Sequence, residues 1–212
     1  SESNNMVILG AAERLGDKGR HVITSAVEHP AVLEPCRALE RRGYSLTVLP
    51  VNGQGRVDPG ELERAVRPDT ILVTIMHANN EVGTVQPIAE IAEITRGRGV
   101  WLHTDAAQSV GKIPVDVGEL GVDFLTVAGH KLYGPKGVGA LYVRTGCEIP
   151  RLIHGADHES GRRAGTENVL EIVGLGRAAK IAREQLDHSV SHSRAMRDRL
   201  REGLAARLGD LW

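Results

Sequence analysis

A lysine stands between an apolar run and a Gly/Pro-rich turn, and it is the side chain in this sequence best placed to do chemistry. The stretch is Thr126 to Gly139, Thr-Val-Ala-Gly-His-Lys-Leu-Tyr-Gly-Pro-Lys-Gly-Val-Gly, and the lysine is Lys131. The run Val122 to Val127 reads as a buried strand, and the glycines and proline keep the backbone open beyond it. Lys131 then lies at the carboxyl end of a strand, where open α/β sheets place their ligands. Lysine amines shift their pKa readily on burial, which suits them to a Schiff base with a carbonyl group. On this stretch alone, a surface lysine in a turn reads equally well.

Other strand ends add weight. Thr70 to Met76 is a continuous β-rich run that delivers His77-Ala78-Asn79-Asn80-Glu81-Val82-Gly83, and Val100 to His103 delivers Thr104-Asp105-Ala106-Ala107-Gln108. The strand His21 to Ser25 leads to Val27-Glu28-His29-Pro30, in which Pro30 fits a first helical position and His29 its cap. An imidazole at that mouth could stack on a planar ring or move a proton, although most such histidines only cap. In a parallel sheet these ends converge on one crevice.

The elements that would hold these groups alternate. A helix is expected over Ser1 to Leu15, with Ser1 and Ser3 as capping types and Met6, Val7, Leu9 and Ala12 at helical spacing. Its N-terminus is a natural seat for a phosphate. Further helices are expected at Ala31 to Arg41, Gly60 to Val66 and Pro87 to Arg96, with strands at Tyr44 to Val51 and Asp123 to Val127. Cys36 falls on the apolar side of its helix with Val32, Leu33 and Leu39, as a core thiol would. Gly139 to Arg144 reads as a strand that could run antiparallel, followed by an irregular segment from Thr145 to Gly165. From about Thr166 to the end the pattern is helical, with an interruption expected near Asp187 to Ser193. Met196, Leu200, Leu204 and Leu208 form its late apolar stripe. Strand–helix alternation of this kind argues for an α/β fold, a mostly parallel sheet with helices on both faces.

Composition narrows the function classes. The 212 residues are 41% hydrophobic and 25% charged, ordinary for a globular domain, and Lys plus Arg total 26 against 27 for Asp plus Glu. No global field therefore favours nucleic acid or an anionic membrane, and no apolar run is long enough for a transmembrane helix. Two cysteines, Cys36 and Cys147, make no disulfide framework, so a reducing, cytoplasmic setting is expected. The chain opens on Ser1 and not Met, so an N-terminal segment is expected to precede it. His154-x-x-x-His158-Glu159 and His188-x-x-x-His192 have one-turn metal spacing, but one lies in irregular chain and the other on a surface helix, so no metal site is expected.

Read together, the crevice residues match the needs of pyridoxal phosphate. Lys131 would hold the carbonyl, Asp105 would pair with the protonated pyridine nitrogen, Asn80 and Gln108 would bind the ring's phenolic oxygen, and His29 would cover the ring. No Gly-x-Gly-x-x-Gly opens a helix after the first strand and no Gly-Lys-Ser/Thr closes a P-loop, which disfavours a nucleotide site.

Ser1-Glu2-Ser3-Asn4-Asn5, Glu28-His29, His77 to Gly83, His103 to Lys112 and Gly129-His130-Lys131-Leu132-Tyr133-Gly134-Pro135-Lys136-Gly137 occur in order, and with them the sequence resembles the cysteine desulfurases. These belong, with the selenocysteine lyases, to the class V aminotransferase group of fold-type I, aspartate aminotransferase-like enzymes. The resemblance covers nearly the whole chain. It implies that residues 1–212 are the pyridoxal-phosphate-binding large domain, with an N-terminal segment and a small C-terminal domain outside them. It implies removal of sulfur from L-cysteine, leaving L-alanine and an enzyme persulfide for a sulfur-acceptor protein, as in iron–sulfur cluster or thio-cofactor assembly. Lys131 would form the Schiff base, His29 would stack and assist proton transfer, Ser1 and His130 would contact the phosphate, and Thr166 would reach the phosphate of the other subunit in a homodimer.

Three departures stand out. Ala128 replaces a hydroxyl residue usual in the family, at a cost of one charged phosphate hydrogen bond, about 1.5–3 kcal/mol; selenocysteine lyase-like members also lack it. Gly155-Ala156-Asp157-His158-Glu159 stands for a Gly-Gly-Gly-Gln/His-Glu run. The family's attacking cysteine and its carboxylate-binding arginine lie in the small domain, and the position of Cys147 matches no catalytic cysteine of the family. A selenocysteine lyase, another class V lyase or aminotransferase, or a non-catalytic docking module remain the rival expectations.

Overall fold

A computed structural model describes residues 1–208. Six strands form one sheet in the order β2-β1-β3-β4-β5-β6. They are β1 (His21–Ser25), β2 (Ser45–Leu49), β3 (Thr70–Thr74), β4 (Trp101–Asp105), β5 (Phe124–Ala128) and β6 (Gly139–Val143). The first five are mutually parallel, and β6 runs antiparallel on the β5 edge. β1 and β3 are buried along their whole length, as central strands covered on both faces should be. The outermost strand β2 is largely exposed or half-buried.

Successive side chains of a strand face opposite sides, and the core is split accordingly. Val22, Leu72 and Phe124 pack beneath α1 (Glu2–Leu15) and α2 (Pro30–Glu40), through Val7, Ile8, Ala11, Val32, Cys36 and Leu39. Their neighbours Ile23, Val73 and Leu125 pack on the other face against Leu62 of α3 (Pro59–Ala65) and Ile88, Ile91 and Ala92 of α4 (Ile88–Gly97). The helices thus cover both faces, as the alternation of elements implies.

Two helix starts follow directly from their sequences. Asp58 accepts a hydrogen bond from the Gly60 amide at 2.8 Å with Pro59 at the first helical position. His29 does the same for α2, its Nδ1 accepting from the Ala31 amide at 3.0 Å ahead of Pro30.

Some elements differ from expectation. α5 (Val117–Leu120) is a single turn whose Asp116 cap accepts from Gly118 and Glu119, and it ends at Gly121 with φ 70°. One turn is too short to leave a periodic pattern. The late helical region breaks at Gln185, between α6 (Val169–Glu184) and α7 (Leu186–Leu208), so the interval 187–193 is helical and the interruption lies just before it. The expected continuation to the chain end, residues 209–212, lies outside the described residues. Among the described residues, no helix is long and apolar enough to cross a membrane.

Phe124 is fully buried and meets Trp101 edge-on, ring centroids 5.2 Å apart at 67°. Phe124→Ala should lower unfolding stability by about 3–5 kcal/mol. A urea midpoint shift at unchanged slope would register it, whereas Leu170→Ala, 83% exposed, should change stability by less than about 0.5 kcal/mol.

Candidate active site

The sheet opens where its winding reverses, between β1 and β3. Their last register pair among the described residues is Thr24 with Thr74. Beyond it the β1 side turns to β2, the Ala26 amide bonding Leu49 O at 2.9 Å, while the β3 side stays with β4 through Ile75 N to His103 O at 3.1 Å and His77 N to Asp105 O at 2.9 Å. This reversal is where a doubly wound sheet forms its ligand crevice. His29, Asn80, Asp105 with Gln108, and His130 with Lys131 all follow strand carboxyl ends on that side.

Asp105 is the anchored member of the set. It is 7% exposed, Oδ2 accepting from Asn4 Nδ2 at 2.8 Å and Oδ1 from the Ala107 amide at 3.0 Å. Asn4 belongs to the first turn of α1, so this bond sets the start of α1 against the end of β4. Ser1 is the N-cap of α1 and its hydroxyl makes no capping bond among the described residues. Asn4 Oδ1 is buried with no partner among them.

Two residues before Asp105, on the same side of β4, His103 is clamped between strands. Its Nδ1 meets Thr74 Oγ1 at 2.7 Å and its Nε2 meets Thr126 Oγ1 at 3.0 Å. Burial holds this imidazole well below its ordinary range, and the charge of Asp105 only partly opposes that. His77 bonds Ser109 Oγ through Nδ1 at 2.9 Å and is also lowered by burial. Glu28 is buried too, and desolvation pushes its carboxyl up to about 8 against its bonds from Ser25 and Met76.

Of the remaining expected residues, Gln108 is half-buried and the others lie at the surface. His29 is exposed and uses Nδ1 as the cap acceptor, so the proton of the neutral ring sits on Nε2. Asn80 is exposed beside the buried Asn79. Gln108 Oε1 accepts from Lys112 Nζ at 2.6 Å; burial, then the charge of Lys131, lower the Lys112 amine, so Lys112 lies near both. Lys131 sits in a 3-10 turn, Gly129–Leu132, continuing β5. Gly129 is required there, because an added Cβ would lie 2.7 Å from Val138 O. Lys131 and His130 are both exposed, so the amine is not desolvated by this chain. Thr166 is exposed three residues past Arg163, which forks onto Glu2 of α1 with Nε to Oε1 at 2.7 Å and Nη2 to Oε2 at 3.3 Å.

Sequence reasoning missed Asn4 and the roles of Glu28, Asn79 and His103. A signal for Asn4 existed, a polar residue at helical spacing with the apolar Val7, Ile8 and Ala11.

Neither cysteine looks like a nucleophile. Cys36 is fully buried and its thiol is pushed up to about 12, chiefly by burial. Cys147 is half-buried, 3.8 Å from Asp123 Oδ1, and is also raised by burial. No group of three or more His, Cys, Asp or Glu side chains among the described residues could hold a metal ion. A cleft of about 440 Å³ between α1, residues 39–44 and residues 150–154 contains none of the crevice side chains.

A doubly wound sheet with an anchored aspartate and a lysine at the carboxyl ends of neighbouring strands has the layout of an α/β enzyme domain. The chain belongs to the class-V aminotransferase family, whose profile matches residues 1–210. This is a family of pyridoxal-phosphate-dependent enzymes. The cysteine desulfurase IscS of Dictyoglomus turgidum is 51% identical over all of this chain and 54% of its own length. A solved NifS-like protein superposes with a TM-score of 0.94 at 42% identity, covering 97% of this chain and 57% of that one. SspA, solved in complex with cysteine, gives 0.81 at 46% identity over 84% of this chain and 52% of its own. The chain therefore spans about half the length of the relatives it matches.

His103 and His77 are held neutral in the folded protein and protonate more readily in the unfolded one. Their contribution to stability is present above the ordinary imidazole pKa, about 6.5, and is lost as pH falls below it. The histidine contribution should be lost between about pH 6.5 and 4, against an opposite contribution from Glu28, whose raised carboxyl favours the folded state as pH falls, and His103→Gln should reduce the histidine part of the slope in a calorimetric pH series.

Proposed function

We propose that this chain is the pyridoxal-phosphate-binding domain of a cysteine desulfurase. The observation that carries the reading is Lys131 just past β5 and, at the end of the neighbouring parallel strand β4, a buried, doubly hydrogen-bonded Asp105. The relatives named cysteine desulfurase and the cysteine-bound SspA support it.

The donor set fits the cofactor. Asp105 offers a buried acceptor for a protonated ring nitrogen, oriented by Asn4 and the Ala107 amide. The N-terminus of α1, with the Ser1 hydroxyl left free, offers an anion seat beside it, and His130 adds a donor. Lys131 would bind the carbonyl carbon covalently and move a proton at its Nζ. Asn80 and Gln108 would hold the phenolic oxygen, which for Gln108 means releasing Lys112. When bound, the cofactor supplies an electron sink for negative charge on the attached amino acid.

His29 would cover the ring and present Nε2–H. To take up a proton it must do so at Nδ1 and surrender the α2 cap, so stacking and donation are the roles its geometry favours. In the net reaction a thiolate attacks Sγ of L-cysteine and forms the S–S bond of a persulfide, the Cβ–Sγ bond breaks with its electron pair left on Cβ, and Cβ takes one proton to give L-alanine. Neither Cys36 nor Cys147 suits that thiolate role. We assign Thr166 to the phosphate site of a second copy in a homodimer, the persulfide to a sulfur-acceptor protein, and the enzyme to the cytoplasm. A selenocysteine lyase is the second reading, favoured by Ala128, which offers no hydroxyl at the end of β5.

The full-length protein, loaded with cofactor and given L-cysteine, should release alanine together with sulfide or persulfide. Lys131→Ala should reduce the rate by at least about 10²–10⁴-fold, the range for a positioned proton-transfer group. A large preference for selenocysteine would favour the lyase, and efficient transamination of another amino acid with no alanine formed would overturn both.

A further inference from the structure

Where two parallel strands part, the backbone groups that faced each other lose their partners, and buried ones must be satisfied some other way. At the β1–β3 divergence the bonds of Ile75 N and His77 N run to β4, leaving the Met76 amide directed to the β1 side. Glu28 Oε1 accepts from it at 2.8 Å, and from Ser25 Oγ at 2.6 Å. In the reverse direction Asn79 Nδ2 donates to Val27 O at 3.0 Å. The β1 end thus gives a carboxyl oxygen to the β3 backbone, and the β3 end gives an amide to the β1 backbone.

Asn79 also shapes the chain after it. Its Oδ1 accepts from the Glu81 and Val82 amides, each at 2.9 Å, while its own amide bonds Thr84 O at 2.9 Å. Glu28 and Asn79 are 6% and 9% exposed, whereas His29 and Asn80, the residues immediately following them, are exposed. His29 and Asn80 are therefore each the direct successor of a buried clamp residue.

From this geometry we infer that Glu28 and Asn79 are positioning residues, a reciprocal clamp that fixes His29 and Asn80 on the two lips of the crevice. The clamp touches neither substrate nor cofactor and acts through its neighbours. Glu28 uses one carboxyl oxygen; Oε2 is buried without a partner among the described residues, so the acceptor at Oε1 is what the clamp requires. A glutamine would keep that acceptor and an alanine would remove it. The burial of Glu28, unfavourable for a charged carboxylate, is consistent with a role that its bonds alone explain.

The inference rests on the pyridoxal phosphate reading, and its test separates the two. The full-length protein, Glu28→Ala, Glu28→Gln and Asn79→Ala are each titrated with pyridoxal phosphate, recording the dissociation constant, the visible circular dichroism of the bound cofactor and the melting temperature. Glu28→Ala and Asn79→Ala should weaken binding about 10–100-fold, as loss of outer-shell partners does at metal sites, and alter the dichroism. Glu28→Gln should restore both readouts to near the unsubstituted protein. In a His29→Ala background, Glu28→Ala should add much less than it does alone, because its effect passes through His29.

A purely structural role would lower only the melting temperature. Unchanged affinity and dichroism in folded Glu28→Ala and Asn79→Ala would overturn the clamp while leaving the cofactor reading intact. Should Glu28→Ala fail to fold, Asn79→Ala decides by the same criteria. Failure of the unsubstituted protein to bind pyridoxal phosphate would overturn both.

Discussion

Asn4 reaches from the first turn of α1 to Asp105 at the end of β4, and this 2.8 Å bond joins chain segments 101 residues apart. A carboxylate taken out of water needs partners at both oxygens, and Asp105 has one in the Asn4 amide and another in the Ala107 backbone. Satisfying it therefore dictates where α1 begins relative to the sheet. That placement sets the free N-terminus of α1, the Ser1 hydroxyl and the Glu2–Arg163 fork beside the crevice. The polar need of one buried group thus fixes the start of α1 against β4 and, through Glu2 and Arg163, the segment carrying Thr166.

A second pattern stiffens the strands behind the crevice. His21 stands between Thr70 and Thr47, at 2.7 and 2.8 Å, and His103 stands between Thr74 and Thr126. Each imidazole thus joins three adjacent strands, β3 supplying a threonine to both. Hydrogen bonds in so dry a setting are stronger than in water, and a fully satisfied pair of ring nitrogens holds a strand's register. Strands held in this way give the exposed groups at their ends fixed positions, which a site made of exposed side chains otherwise lacks.

Much of this was readable in the residues. Pro30 after His29 marked a helix start to the residue, because proline's missing N–H and fixed φ fit that one position. The β-rich run from Thr70 marked a central strand, and Cys36 at helical spacing with Val32 and Leu39 marked a core thiol. Resemblance to the cysteine desulfurases supplied the family and the cofactor. Other features were hidden for physical reasons. One turn of helix at α5 has no periodicity to detect, and the break at Gln185 carries neither glycine nor proline. The partners of Glu28, 48 residues away at Met76, and of Asn79, 52 residues away at Val27, arise only when the strands meet, so nothing local announces them. Exposure of Lys131 was likewise unreadable, since desolvation depends on everything that packs around a side chain.

The central claim is that the switch-point crevice binds pyridoxal phosphate through Lys131, and one measurement addresses it directly. The full-length protein would be incubated with pyridoxal phosphate, reduced with borohydride to fix any lysine–cofactor link, digested and mapped by mass. The structure predicts a single stoichiometric adduct on the peptide containing Lys131, lost in Lys131→Ala. Labelling spread over Lys112, Lys136 and Lys180, or no adduct at all, would contradict it.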